Sequence, residues 1–171
     1  AVQVGDPYTE KLLIDATLEI RKHVEAARDL GAAGLAGASS EMAAKGDVGI
    51  RLELGSVHLR EPLNALEILL SESQERMLFE VAPENVGTVR EIAERYDLES
   101  SVVGEVTDDR FVAEHEGETV VDLPAEFLAD GAPVHDLERK EPEESEPSMP
   151  YEPTPEGVLD ALADPNNASK E

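Results

Sequence analysis

The spacing of apolar residues changes period along this chain, and ordered patterning stops near residue 132. Behind Asp6-Pro7, a capping acid followed by proline at the first helical position, Leu13, Ala16, Ile20 and Val24 recur at helical spacing. Ile50, Leu52 and Leu54 then alternate with polar residues, as along a half-buried strand. Pro62 predicts the start of a helix running through Leu70, and 77–81 reads as a strand. Pro83 opens a further helix that places Val86, Val89, Ile92, Ala93 and Tyr96 on one face. Residues 102–106 read as a strand, and 110–115 with 118–122 as a hairpin turning at Glu116-Gly117. This order predicts an α/β (α+β) domain over residues 1–132, a mixed sheet with helices packed on it.

From Asp136 onward the pattern is lost. Pro142, Pro147, Pro150, Pro153 and Pro155 punctuate an acid-rich stretch with few apolar residues. Such a composition cannot offset the entropy of ordering, so 133–156 is expected to be an extended acidic, Pro-rich linker. Val158, Leu159 and Leu162 predict a short helix within 157–171, leading toward a following domain. The chain also lacks an initiator Met, and is read as a piece of something longer.

Charge and composition exclude several functions. Asp and Glu number 39 against 14 Lys and Arg, a formal net charge of -25. Nucleic acids and anionic membranes are poor partners for that surface, so neither is expected. Aromatic residues are only 4% and Trp is absent, which weakens any case for a base-stacking platform. No Cys is present, so disulfides, thiolate zinc sites and Cys nucleophiles are ruled out. Apolar runs such as Leu69-Leu70 are too short to cross a membrane, and no signal peptide is visible. Dispersed acid with scarce Lys matches a protein from a salt-accumulating halophile; an acidic mesophile protein is the alternative.

Two segments stand out chemically. Gly31, Gly34 and Gly37 lie in a run of small residues from Asp29 to Glu41, with a helix predicted to begin near Leu35. A loop of open N–H groups feeding a helix start suits an anion, but small residues also serve tight helix–sheet packing. The run is neither a Walker loop nor the dinucleotide Gly pattern. Asp29, just ahead of the glycines, suits either Mg²⁺ near a phosphate or simple capping. The second segment, Ser71-Glu72-Ser73-Gln74-Glu75-Arg76, separates an apolar helix end from an apolar strand. Glu72 and Gln74 suit hydroxyls or an amide, and Ser73 a phosphate or carbonyl oxygen; a solvated turn is the plain alternative. Gln3, polar among apolar neighbours, either faces a ligand or satisfies backbone. The four histidines lie in separate segments without metal spacing, and no catalytic residue is identified in this chain.

Segments 1–11 (AVQVGDPYTEK), 29–42 (DLGAAGLAGASSEM) and 69–77 (LLSESQERM) together resemble phosphoribosylformylglycinamidine synthase, large subunit. Tyr96-Asp97-Leu98-Glu99 and Gly104-Glu105-Val106-Thr107-Asp108 extend the likeness over nearly the whole chain, in the family's order. The resemblance implies the C-terminal domain of the first synthetase-like half, a domain like that of aminoimidazole ribonucleotide synthetase. It further implies a ligase of purine synthesis that makes formylglycinamidine ribonucleotide from formylglycinamide ribonucleotide, ATP and ammonia, the last from glutamine.

Carried onto this sequence, the family's substrate contacts fall on Gln3, Glu72, Ser73 and Gln74, and its magnesium ligand on Asp29. The implied cofactors are Mg and the co-substrate ATP. Implied partners are an ATP-binding domain, the second synthetase half and a glutaminase subunit supplying ammonia, all in the cytoplasm. The family's catalytic His and ATP-contacting Lys belong to a region upstream of Ala1, so the fragment alone is expected to be inactive. Another enzyme of the aminoimidazole ribonucleotide synthetase superfamily, or a non-catalytic docking fragment, are the competing readings.

Overall fold

The computed structural model describes residues 5–131, 133–140 and 154–164. Gln3 and most of the Pro-rich stretch lie outside them. The chain divides into a unit over Ala1–Pro133 and a second over Val134–Glu171.

In the first unit, helix α1 (Pro7–Ile20) starts where the sequence predicts. The Asp6 carboxylate accepts the Tyr8 and Thr9 amides at 3.1 and 3.3 Å, satisfying donors the first turn leaves open. Strand β1 (Ala26–Asp29) follows, then α2 (Gly34–Gly46), β2 (Gly49–Glu53), α3 (Ala65–Leu70), β3 (Met77–Glu80) and α4 (Val86–Arg95). Strands β4 (Gly104–Thr107), β5 (Arg110–His115) and β6 (Glu118–Pro124) and helix α5 (Ala125–Asp130) complete it. The mixed α+β class predicted from sequence is what forms.

Local details differ from the sequence reading. Helix α3 begins at Ala65 rather than Pro62, because Asn64 caps it. The Asn64 side chain accepts the Glu67 amide at 3.0 Å while the Glu67 carboxylate accepts the Asn64 amide at 2.9 Å. Strand β4 starts at Gly104, where a Cβ would stand 2.1 Å from the Arg51 carbonyl of the neighbouring strand. A 3₁₀ turn at Pro83–Asn85 precedes α4. β1 (AARD) shows no apolar alternation and α5 (AEFLAD) is only six residues long, so neither is legible as an element in the sequence.

Two sheets organise the unit. β4-β2-β5-β6 form a mixed sheet in which β2 runs parallel to β5 and the other pairs are antiparallel. Its inner face supplies Ile50, Leu52, Phe111 and Ala113, which pack with Leu35 and Ala43 of α2 and Ile68 and Leu69 of α3. β1 and β3 form a separate antiparallel ribbon. Successive β3 side chains alternate: Leu78 packs on the main core, Phe79 on a second cluster of Ala16, Ile20, Val89 and Ile92 from α1 and α4. The ribbon thus sits between two cores, each contributing to its rigidity. The β5–β6 hairpin turns through Glu116 (φ 52) and Gly117 (φ 81), the two positive values a tight primed turn requires.

In the second unit, Pro155–Ala163 forms helix α6, with the Thr154 hydroxyl accepting the Gly157 amide at 3.1 Å. Residues 134–140 are coil. Among the described residues, no helix is long and apolar enough to cross a membrane.

Candidate functional site

The antiparallel ribbon decides where the site lies. Asp29, the last residue of β1, pairs with Met77, the first of β3. The Gly-rich loop therefore leaves the ribbon at the same end where the polar loop enters it. One further bond, Leu30 N–H to the Arg76 carbonyl at 3.2 Å, carries the pairing past the strands. Residues distant in sequence meet because the strand pairing leaves the two loops nowhere else to go.

The loops then press together. Ala33 and Gly34 both adopt left-handed backbone, with φ 59 and φ 53. A Cβ on Gly34 would stand 2.2 Å from the Ser71 carbonyl oxygen and 3.1 Å from that of Leu69, so only glycine lets α2 start here. The Ala33 amide donates to Glu72 Oε1 at 3.1 Å. On the other side, the Glu75 carboxylate accepts the Asp6 amide at 3.0 Å, tying the start of α1 to the polar loop. Glu75 itself holds φ 57, an uncommon conformation for a side-chain-bearing residue.

Between these three segments lies a cleft of about 680 Å³, within the range usual for small-molecule sites. Asp29, Glu72 and Gln74, all singled out in the sequence, line it. Ser73 does not: its hydroxyl bonds that of Ser71 at 2.9 Å, and its carbonyl accepts from Arg76. Gln3 lies outside the described residues, but Gly5, close after it, lines the cleft and a Cβ there would stand 3.0 Å from Gln74 Oε1.

Asp6, Glu10, Glu75 and Arg76 also line the cleft, and sequence reasoning assigned none of them a ligand role. The sequence marks Asp6 only as a cap. Its carboxyl is held below the usual range, first by the Thr9 hydroxyl at 2.7 Å and then by the Thr9 and Tyr8 amides. Five carboxylates against one guanidinium give the cleft an acidic wall. Such a wall repels a bare anion and suits hydroxyl, amide and cation donors, or an anion that arrives with a divalent cation.

Asp29 is the one of these that leads directly into the Gly-rich loop. A Cβ on Gly31 would come within 3.1 Å of Asp29 Oδ2, so the small residue leaves that carboxylate room over the loop. Among the described residues, no group of three His, Cys, Asp or Glu forms a ready-made metal cage. A single carboxylate beside a cleft is the usual contribution of a protein to Mg²⁺, which keeps waters and takes further oxygens from phosphate.

Residues 1–116 match the family described as AIR synthase related protein, C-terminal domain. The chain is 59% identical to phosphoribosylformylglycinamidine synthase subunit PurL of Halobacterium salinarum, covering 100% of itself and 25% of that protein. Thermotoga maritima PurL complexed with ATP has a TM-score of 0.76 and 41% identity, covering 82% of this chain and 25% of that one. The same protein complexed with FGAR also gives 0.76 and 41%, over 82% and 24%. The chain thus spans about a quarter of the length of the curated relatives it matches. The family match covers well over half of it and includes both loops of the cleft, and the chain belongs to the AIR synthase related protein, C-terminal domain family.

Proposed function

We propose that this chain is the substrate- and magnesium-binding part of phosphoribosylformylglycinamidine synthase, an ATP-dependent carbon–nitrogen ligase. The whole enzyme converts formylglycinamide ribonucleotide, ATP and ammonia to formylglycinamidine ribonucleotide, in the cytoplasm. In this reading 1–132 is the synthetase C-terminal-like domain, 133–156 a linker, and 157–171 the approach to a following domain. The observation that carries it is the meeting of the Gly-rich loop, Asp29 and the 72–76 loop at one cleft.

The chain's own residues supply binding and orientation. Gln74 and Glu72 offer an amide and a carboxylate to a ligand rich in hydroxyl and amide groups; Gln3 and Ser73 are further contacts on the family resemblance alone, since the Ser73 hydroxyl bonds Ser71 and does not line the cleft. Mg²⁺ at Asp29, when bound, neutralises phosphate charge that the acidic wall would otherwise repel. Holding the ribonucleotide in one pose is a large part of catalysis in phosphoryl transfer, where the protein mainly positions and stabilises charge. An ATP-binding domain, the second synthetase half and a glutaminase subunit supplying ammonia would provide the rest.

The test is calorimetric binding of formylglycinamide ribonucleotide to the full-length synthase and to its Gln74→Ala and Asp29→Asn variants. Gln74→Ala is expected to weaken binding by about 1–3 kcal/mol, the cost of an unpaired buried ligand group. Asp29→Asn is expected to raise the magnesium concentration needed for half-maximal turnover. Unchanged affinity together with unchanged magnesium dependence overturns the proposal.

A further inference from the structure

Arg76 stands at the junction of the two loops. Its carbonyl accepts the Leu30 amide, fixing it to the Gly-rich side. Its side chain turns back the other way, over the polar loop. Nε donates to the Ser73 carbonyl at 3.1 Å and Nη2 to the Ser71 carbonyl at 2.5 Å. One guanidinium therefore grips the two carbonyls that flank Glu72.

That grip is unusual in what it leaves out. Arg76 lines an acidic cleft, yet among the described residues no carboxylate forms an ion pair with it. It is half-buried, and burial pulls its pKa below the ordinary arginine value. A half-buried guanidinium whose hydrogen bonds here run to two backbone carbonyls gives up part of its hydration to hold a turn. The same two carbonyls are where the loops touch, since the Ser71 oxygen is the atom that excludes a Cβ from Gly34. The rigid planar fork of arginine can donate from two nitrogens to two acceptors, whereas lysine has a single nitrogen on a flexible stem.

We propose that Arg76 is a positioning residue: by clamping the Ser71 and Ser73 carbonyls it fixes the polar loop in the shape that presents Glu72 and Gln74 to the cleft. This rests on the substrate-site reading above. Arg76 acts through the loop, and its effect falls on ligand binding more than on the chemical step.

The experiment uses the full-length synthase at saturating ATP and ammonia, with Arg76→Lys and Arg76→Ala. In both variants KM for formylglycinamide ribonucleotide should rise about tenfold, as expected for losing charge-assisted hydrogen bonds, while kcat changes less. Arg76→Lys should keep the parent's melting temperature. Methylguanidinium added to Arg76→Ala should lower KM again, a response that general loss of stability does not give. Should Arg76→Ala not fold, the KM of Arg76→Lys decides. A parental KM in Arg76→Lys, or no response of a folded Arg76→Ala to methylguanidinium, overturns the inference. Gln74→Ala measured alongside separates the two levels. If Gln74→Ala raises KM and Arg76→Lys does not, only the clamp is wrong; if Gln74→Ala leaves KM unchanged, the substrate site is wrong.

Discussion

The Ala33 amide donates to the Glu72 carboxylate across 39 residues of sequence, and this bond joins the Gly-rich loop to the polar loop beside the cleft that Glu72 lines. Ala33 is the residue before α2, so its amide is an orphan donor at a helix start. Glu72 satisfies it from outside the helix, which makes a single carboxylate responsible for both a loop contact and a cleft wall.

Two substitutions separate those roles. Glu72→Gln keeps an oxygen acceptor for Ala33, and Glu72→Ala removes it. We expect Glu72→Ala to weaken ligand binding to the full-length enzyme by about 1 kcal/mol or more, through loop displacement and loss of the group itself. Glu72→Gln should retain loop geometry, visible as an unchanged Ala33 amide resonance on exchange-protected spectra, while altering affinity by charge alone. Equal affinity loss in both variants would assign Glu72 to the ligand and leave the loop contact without consequence.

Gly34→Ala should be severe. The methyl group would meet the Ser71 carbonyl at 2.2 Å, and the φ of 53 is strained for alanine whatever the space. The backbone cost alone is about 1–2 kcal/mol, and the steric conflict adds to it because the obstacle is backbone. Gly87 provides the control, since a Cβ there meets nothing within 4 Å and it lies inside α4. Gly87→Ala should stabilise by about 0.5–1 kcal/mol through helix propensity. Denaturant midpoints of the two variants are expected to move in opposite directions.

The sequence was most legible where one local cause acts alone. Asp6-Pro7 announced α1, and Glu116-Gly117 the hairpin, because capping and turn chemistry are short-range. β1 was invisible: Ala26, Ala27, Arg28 and Asp29 show no apolar alternation, and the strand exists because β3 pairs with it. The sequence reading expects the two loops to converge on one cavity, as they do, but the β1–β3 pairing that brings them there leaves no local pattern to read. Resemblance named Gln3, Asp29, Glu72, Ser73 and Gln74. Glu75 and Arg76 escaped because their roles are contacts to backbone, Glu75 to the Asp6 amide and Arg76 to two carbonyls, which composition does not reveal.

Asp6 gives a pH signature. Its folded-state pKa is depressed below 3.8, chiefly by the Thr9 hydroxyl and amide. The charged form is therefore favoured by folding. Its stabilising contribution is present above the unfolded pKa and is lost as pH falls through the folded one. Asp6→Asn keeps a capping oxygen but cannot titrate. The stability difference between parent and variant should be constant at neutral pH and shrink as pH falls below 3.8. A difference that persists unchanged into stronger acid would show that the Thr9 contacts do not favour the carboxylate. Thr9→Val, which removes the hydroxyl, should reduce the pH dependence in the parent background.

Salt should govern stability across the whole surface. The 39 acidic side chains are opposed by 14 basic ones, and the ion pairs among the described residues occupy only a few of them. Arg51, for example, lies between Glu105 at 3.8 Å and Glu114 at 2.9 Å on the open face of the larger sheet, one cation shared by two anions. Repulsion between exposed charges decays over a Debye length of about 3 Å at molar salt, but of about 30 Å at 0.01 M, a distance comparable to the domain itself. Repulsion among unmatched carboxylates is thus local at high salt and global at low salt, and it favours the expanded chain. Exposed pairs such as Arg110–Asp122 weaken as salt rises, but each contributes under about 1 kcal/mol and they are outnumbered. The melting temperature is therefore expected to climb steadily from millimolar to molar KCl, and to fall less on dilution when Glu84, Glu91 and Glu94 are together replaced by Gln. A melting curve indifferent to salt over that range would mean that the acidic surface is not what sets the stability of this domain.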